Sequence, residues 1–317
     1  MRHGAALVDR PAGRILLTGA DRRAYLQGLL TNDIEALTPG TGCYAAMLTA
    51  QGRMMTDARV LELGDAILLE VPAAVTGAIR DHLDRFIFAE DVVVQDVTAE
   101  RAELGLYGPR AEDVLRRAVT TGALPGDLYS STRAEMAGAD VVLVRGDAPG
   151  IPGYDVIVSA GGAAAVERVL REAGAVPASG MDTEIVRVES GRPKFGTDMD
   201  AETIPLEAGI EDRALSRTKG CYVGQEVIVR VLDRGRGRVA RRLAGFTLSA
   251  AALPASGARV LAGGKDAGWI TSAVLSPARG PIALGYVHRD FTPPGTPVTI
   301  EGSGDALIAA LPFVPLE

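Results

Sequence analysis

Lysine is nearly absent from this chain of 317 residues: of 33 basic residues only Lys194, Lys219 and Lys265 are not arginine. Histidine is as scarce, with His3, His82 and His288, and no His or Cys pair stands at ligand spacing, which argues against a metal site. The two cysteines, Cys43 and Cys221, lie 178 positions apart. That excludes a disulfide framework and points to a reducing compartment. So few thiols also argue against a resident iron–sulfur cluster, which takes several. No apolar run reaches the length that spans a bilayer, and the start, MRHGAALVDRPAG, lacks the apolar core of a signal peptide. These absences lead to the expectation of a soluble, cytoplasmic protein with no membrane partner.

A net charge of −7 leaves no broad basic face, which argues against direct nucleic-acid binding. One basic stretch stands out, Arg230, Arg234, Arg236, Arg238, Arg241 and Arg242. It suits either an acidic partner or a strand edge whose charges block edge-to-edge pairing. The apolar fraction of 47% and charged fraction of 23% are ordinary for a globular chain, and the length allows two or three domains.

Alternation and turn residues predict strands mixed with short helices over the first two thirds. Residues 5–8 and 14–18 read as a hairpin. A helix capped by Asp21 follows, with Tyr25, Leu26, Leu29 and Leu30 inward. Gly28 inside it marks either an early end or a close backbone neighbour. Strands are expected at 43–49, 56–63, 66–71, 92–97, 103–107, 139–144 and 154–159. Helices are expected around Ile79 and Leu83, after Pro109, and around Val166 and Leu170. Another, starting near Asp182, should bury Ile185 and Val188 and turn Glu184 and Arg187 outward. From about residue 238, short strands with Gly- and Pro-rich turns suggest a small barrel or sandwich.

The most informative string is Lys219-Gly220-Cys221-Tyr222-Val223-Gly224-Gln225-Glu226. A thiol reacts as its thiolate, and an adjacent cation raises the thiolate fraction. Flanking glycines let backbone approach a ligand. A lysine in an arginine-written chain suggests that a compact ammonium is wanted. Two more polar stretches accompany it. One runs from Arg187 and Glu189 through Asp198 to Pro205 and Glu207; the other joins Gln27-Gly28, Thr31-Asn32-Asp33 and Gln51-Gly52-Arg53 with Asp57.

The string resembles the K-G-C-Y-x-G-Q-E signature of the YgfZ family, folate-binding relatives of the glycine-cleavage T-protein (aminomethyltransferase). The other two stretches are similar to the R-x-E-x-G…G-x-D and L-Q-G-x-x-T-N-D elements of those families. The resemblance implies an α+β fold of T-protein-like folate-binding modules around a central cleft, followed by a small C-terminal β-barrel. Residues 1–237 would form the folate-binding region, as two interwoven modules at about 1–100 and 101–237, and 238–317 the barrel. It implies tetrahydrofolate or a derivative as cofactor. It implies a role in assembly or repair of iron–sulfur clusters in client enzymes, including those that modify transfer RNA, with those enzymes or cluster-assembly proteins as partners. Cys221 would be the reactive thiol, activated by Lys219, with Gly220, Tyr222, Gly224, Gln225 and Glu226 supporting it. Asp33, Asp57, Arg187, Glu189, Asp198 and Glu207 would bind folate.

Two departures argue against glycine-cleavage aminomethyl transfer and, with the Cys string, favour the YgfZ branch. T-proteins carry paired aspartates where this chain has Thr56-Asp57, and a Gly-Glu-Asp-Gly loop where it has Gly150-Ile151-Pro152-Gly153. The pterin's buried edge needs a paired partner, which falls here to Asp33, Asp57 or Glu207. The alternatives are a folate-dependent one-carbon transferase or demethylase, and a non-catalytic adaptor with Cys221 as a packing residue.

Overall fold

The computed structural model describes residues 1–235, 237–250 and 252–315, and of Arg234 the backbone alone. The chain divides into two compact units. One comprises Met1–Thr49, Met55–Gly180 and Arg213–Val223; the other comprises Ala50–Met54, Met181–Asp212 and Gly224–Glu317.

The first unit starts with Ala6–Asp9 (β1), Ala12–Thr18 (β2), Arg22–Leu29 (α1), Thr41–Leu48 (β3) and Met54–Glu62 (β4). Ile67–Pro72 (β5), Thr76–Arg85 (α2) and Val93–Asp96 (β6) follow. Next come Arg101–Tyr107 (β7), Ala111–Ala118 (α3), Val119–Thr121 (β8), Ser131–Met136 (β9) and Ala139–Gly146 (β10). Gly153–Ser159 (β11), Ala163–Glu172 (α4) and Val176–Pro177 (β12) complete it. They form a five-stranded sheet, β3-β4-β5-β2-β6, and a seven-stranded sheet, β12-β1-β7-β11-β10-β9-β8.

The expected hairpin between the first two strands is not formed. β1 pairs with β7 and β12, and β2 with β5 and β6. Arg10-Pro11 between them carries the chain from one sheet to the other instead of turning it back. The strands β8 and β9, short and mostly polar, gave too little alternation to be expected. Helix α1 starts as read, but Asp21 makes no side-chain cap; its carboxylate accepts from the Asp91 amide at 2.8 Å.

Strand alternation explains the layering. On β4, Ala58 and Val60 face a core under α1 and α2 that includes Leu26, Leu30, Ile79 and Leu83. On β7, Leu104 and Leu106 face a second core with Leu115, Val166 and Leu170. The opposite faces of the two sheets meet each other. Leu61, Leu68, Val144 and Ile157 close one part of that contact.

The rest of it is ionic. Arg59 reaches Glu70, Asp155 and Glu103, the last at 2.7 Å. Glu103 also takes Arg14 at 3.0 Å and Arg10 at 2.8 Å, and the Tyr107 hydroxyl donates to Asp155. Glycine makes the room: a Cβ on Gly146 would stand 2.6 Å from Asp155 Oδ2, and one on Gly105 2.4 Å from the Tyr107 ring. Nothing in the sequence reading anticipated this network, because its members are scattered over 146 residues and meet only by sheet packing.

Against the cost of burial, Arg10, Arg59 and Arg14 hold the Glu103 carboxyl below the usual range. Burial instead pushes Glu70 up to about 8 despite Arg59, and its Oε1 has no hydrogen-bond partner among the described residues. A carboxyl that keeps its proton longer in the folded chain than in the unfolded one withdraws stability as pH climbs from the unfolded toward the folded value. Between about pH 5 and pH 8 the wild type should lose about 1 kcal/mol or more through this group. Glu70→Gln should lose less over the same span. Urea midpoints at the two pH values check this; parallel curves would mean that Glu70 stays ionised throughout.

In the second unit, Gly180–Glu189 (α5) and Pro205–Ala208 (α6) precede Glu211–Ala214 (α7), which spans the division between units. Gln225–Val229 (α8) continues into a π turn at Arg230–Arg234. The strands Arg241–Leu248 (β13), Arg259–Ala262 (β14), Lys265–Ser276 (β15), Gly280–His288 (β16), Pro297–Ile300 (β17) and Gly304–Ala309 (β18) follow. They close a six-stranded barrel in the order β13-β16-β15-β14-β17-β18, as the barrel expectation required. Phe246, Val260, Ile270, Val287 and Ile308 fill it. No helix of the described residues is long and apolar enough to cross a membrane.

Candidate functional site

In the first unit the polar residues gather around Asp57. Alternation along β4 turns Asp57 to the same side as Arg59, away from the Ala58 and Val60 core. Tyr44 on the neighbouring strand β3 donates its hydroxyl to Asp57 Oδ2 at 2.7 Å. The Arg213 guanidinium lies 4.8 Å from the Tyr44 ring centroid, a cation–π distance. Arg213 also donates to the Tyr129 hydroxyl at 2.6 Å and to Asp147 at 3.2 Å. Tyr129 stands at φ 65°, a left-handed conformation costly for a non-glycine residue and concentrated at functional sites. Burial raises the Asp57 carboxyl, while Tyr44 and Arg213 pull the other way. The Tyr44 phenol is raised well above its usual range by burial and by Asp57. The result is a half-buried carboxylate poised to accept an N–H edge or a proton.

The Thr31-Asn32-Asp33 turn is built into this wall. The Thr31 hydroxyl donates to the Ala214 carbonyl at 2.7 Å and accepts from the Ala46 amide at 2.8 Å. Asn32 donates to the carbonyls of Tyr44 and Arg213, at 2.8 and 3.2 Å. Asp33 accepts from the Gln27 amide group at 3.0 Å and from the Ala36 backbone at 3.3 Å. Its nearer partners are thus local turn contacts.

The cysteine string straddles the two units, which divide between Val223 and Gly224. Cys221 is exposed, and so is Gly220. The Lys219 ammonium turns inward and donates to the carbonyls of Gln27, Leu30 and Asn32 at 2.6, 2.6 and 2.9 Å. Tyr222 is buried with its ring 5.1 Å from that ammonium. The Val223 amide bonds the Gly28 carbonyl at 3.1 Å, but a Cβ on Gly28 would meet nothing within 4 Å, so no close neighbour requires a glycine there. Cys43 is half-buried, its thiol pushed up to about 12 by burial although Lys219 opposes that. In the second unit Gly224 (φ 81°) precedes α8, Gln225 opens it, and the exposed Glu226 pairs with Arg230 at 2.6 Å.

Arg187, Glu189, Asp198 and Glu207 all lie in the second unit. Arg187 is buried, contrary to the outward orientation expected on α5. It bonds Asp198 at 2.6 Å, Glu184 at 2.5 Å and Ser272 at 2.7 Å, so its charge is compensated inside. A β-bulge on β15 between Ile270 and Ser272 lets two consecutive hydroxyls, Thr271 and Ser272, both donate to Asp198 Oδ1. Ser276 donates to Glu189 at 87 residues' separation. Glu207 accepts from the Ile204 amide at 3.3 Å and pairs with Arg241 at 3.1 Å. Arg241 stacks 4.8 Å from the Trp269 ring. These residues knit the helices to the barrel. Of the basic stretch, Arg230 and Arg242 are also ion-paired, whereas Arg236 and the Arg234 side chain lie outside the described residues.

The sequence reading assigned no site role to Tyr44, Tyr129, Asp147 or Arg213. A tyrosine on a strand with the parity of the inward polar face was the one signal available.

A two-sheet α+β unit with a half-buried carboxylate, followed by a closed barrel, defines a recognisable class of protein. Residues 1–217 match the GCVT N-terminal domain, and residues 241–314 the glycine cleavage T-protein C-terminal barrel domain. The chain belongs to the glycine cleavage T-protein family. It is 33% identical to an aminomethyltransferase of Rubrobacter xylanophilus over 95% of this chain and 80% of the relative. It is 30% identical to one from Saccharopolyspora erythraea, over 99% and 88%. The glycine cleavage aminomethyltransferase T of Bartonella henselae has the same fold, with a TM-score of 0.87 at 24% identity, covering 99% of this chain and 87% of that one.

Proposed function

We propose that this protein binds tetrahydrofolate beside Asp57 and acts as a folate-dependent one-carbon (aminomethyl or methyl) transferase or demethylase. The half-buried Asp57–Tyr44 pair carries this reading. The pair suits the group: an acceptor-only carboxylate, oriented by a phenol and partly shielded from water, matches the N–H donors of a reduced pterin. Bound tetrahydrofolate would supply the nitrogens that take up the one-carbon unit. Asp57, its acidity weakened by burial, would hold or move a proton. Arg213, with Tyr129 and Asp147, would keep Tyr44 in place. Residues 1–237 would be the folate-binding region and 238–317 the barrel domain. The aminomethyltransferase names of the relatives favour this reading over the cluster-maintenance role implied by the YgfZ resemblance. Incubation with tetrahydrofolate and methylated amines, followed by detection of methylene-tetrahydrofolate, tests it. Turnover that disappears in Asp57→Ala supports transfer; tight folate binding with no turnover of any amine overturns it.

One observation favours a second reading. Cys221 is exposed within an uninterrupted Lys219–Glu226 string, which suits a YgfZ-type thiol serving iron–sulfur client enzymes or cluster-assembly proteins in the cytoplasm. Cys221→Ser at native expression, with cellular iron–sulfur enzymes assayed, including one that thiomethylates transfer RNA, decides it. Undiminished activity removes the thiol from the function.

A further inference from the structure

Helix α1 ends without a basic residue in its own last turn. The carbonyls of a helix's last turn lack intrahelical partners and carry the negative end of the dipole. Here the missing cation arrives from about 190 positions away. Lys219 Nζ stands 2.6 Å from the Gln27 carbonyl, 2.6 Å from that of Leu30 and 2.9 Å from that of Asn32. An ammonium has three donors, and all three are used. Three acceptors converging on one point suit an ammonium and not a planar guanidinium, which explains a lysine in a chain that otherwise uses arginine. The residue is 9% exposed, and a buried charge persists only when paired.

The geometry points to Lys219 as a positioning residue: it clips the Gly220–Cys221–Tyr222 segment to the end of α1 and fixes the Asn32 turn, and does not activate the Cys221 thiol. Asn32 is the residue through which the clip reaches the proposed site, because its side chain holds the carbonyls of both Tyr44 and Arg213. That last link rests on the folate reading; the clip itself does not. The surrounding charge supports it: burial brings the Lys219 ammonium down to about 8, with Asp33, Cys43 and Glu35 opposing.

The test uses Cys43→Ser protein, in which Cys221 is the single thiol. Its alkylation by iodoacetamide is followed against pH with Lys219 intact and in Lys219→Met. The clip requires a pH midpoint that does not move to higher pH and an alkylation rate raised about threefold or more below pH 8 as the segment loosens; its link to the folate site requires tetrahydrofolate affinity lowered about tenfold. A midpoint moved to higher pH with affinity intact makes Lys219 an activator of the thiol and overturns the proposal. Should Lys219→Met fail to fold, amide hydrogen exchange in the wild type decides. The Val223 and Leu30 amides, bonded to Gly28 and Leu26, must then open together; independent opening overturns the clip. If no variant binds tetrahydrofolate, the folate reading fails, while the alkylation and exchange results still judge the clip.

Discussion

Arg59→Met loses about 3–5 kcal/mol of unfolding free energy, the cost of removing one partner from a buried ionic network. Arg59 is 7% exposed and contacts three carboxyl groups on strands of both sheets. Without it Asp155 keeps, among the described residues, the Tyr107 hydroxyl and the more distant Arg10, at 3.5 Å. Glu103 still has Arg10 and Arg14. The uncompensated charge therefore falls mainly on Asp155. Adding Asp155→Asn to Arg59→Met should recover part of the loss, because it removes the stranded charge while keeping an acceptor for Tyr107. Urea denaturation followed by circular dichroism measures both. A loss below about 1 kcal/mol in the single variant would show that water reaches the network and compensates the carboxylates.

Asp57→Asn weakens tetrahydrofolate binding about 10- to 100-fold, the range for a hydrogen bond to a charged group. Asparagine keeps an oxygen for the Tyr44 hydroxyl but replaces the second acceptor with a donor, which opposes an incoming N–H. Stability should move the other way. Burial raises the Asp57 carboxyl above its unfolded value, so the ionised form costs stability at any pH above both values. The variant should therefore melt no lower than the wild type at pH 7, with the difference shrinking as the solution is acidified through the raised value. Titration calorimetry and thermal melts together check the pair of effects. Unchanged folate affinity would place the pterin away from Asp57.

Much of the fold was legible because it is local. Alternation on β4, β5 and β7, the spacing of Ile79 and Leu83 on α2, and the closely punctuated strands of the barrel each follow from which side chains must leave water. Pairing was less so. β1 and β2 are sound strands with a short connection, yet they belong to different sheets, and a ten-residue window holds no information about that choice. Arg187 shows the same limit at one residue. Helical periodicity places a charge outside, but Asp198, Ser272 and Glu184 had already supplied a buried counter-charge and acceptors.

For the site, the sequence by itself determined the chemical vocabulary: one carboxylate at Asp57 in place of two, a single thiol in a glycine-flanked string, and a lysine where the chain otherwise uses arginine. Those are composition and order, and folding does not alter them. Only the tertiary structure decided what each group faces. It set Tyr44 against Asp57 by pairing two strands, brought Arg213 over Tyr44, and turned Lys219 into the end of a helix almost two hundred residues upstream while leaving Cys221 in solvent. The reason is electrostatic. A charge or polar group acquires its role from the partners that replace its water, and those partners are assembled by sheet packing across the whole chain.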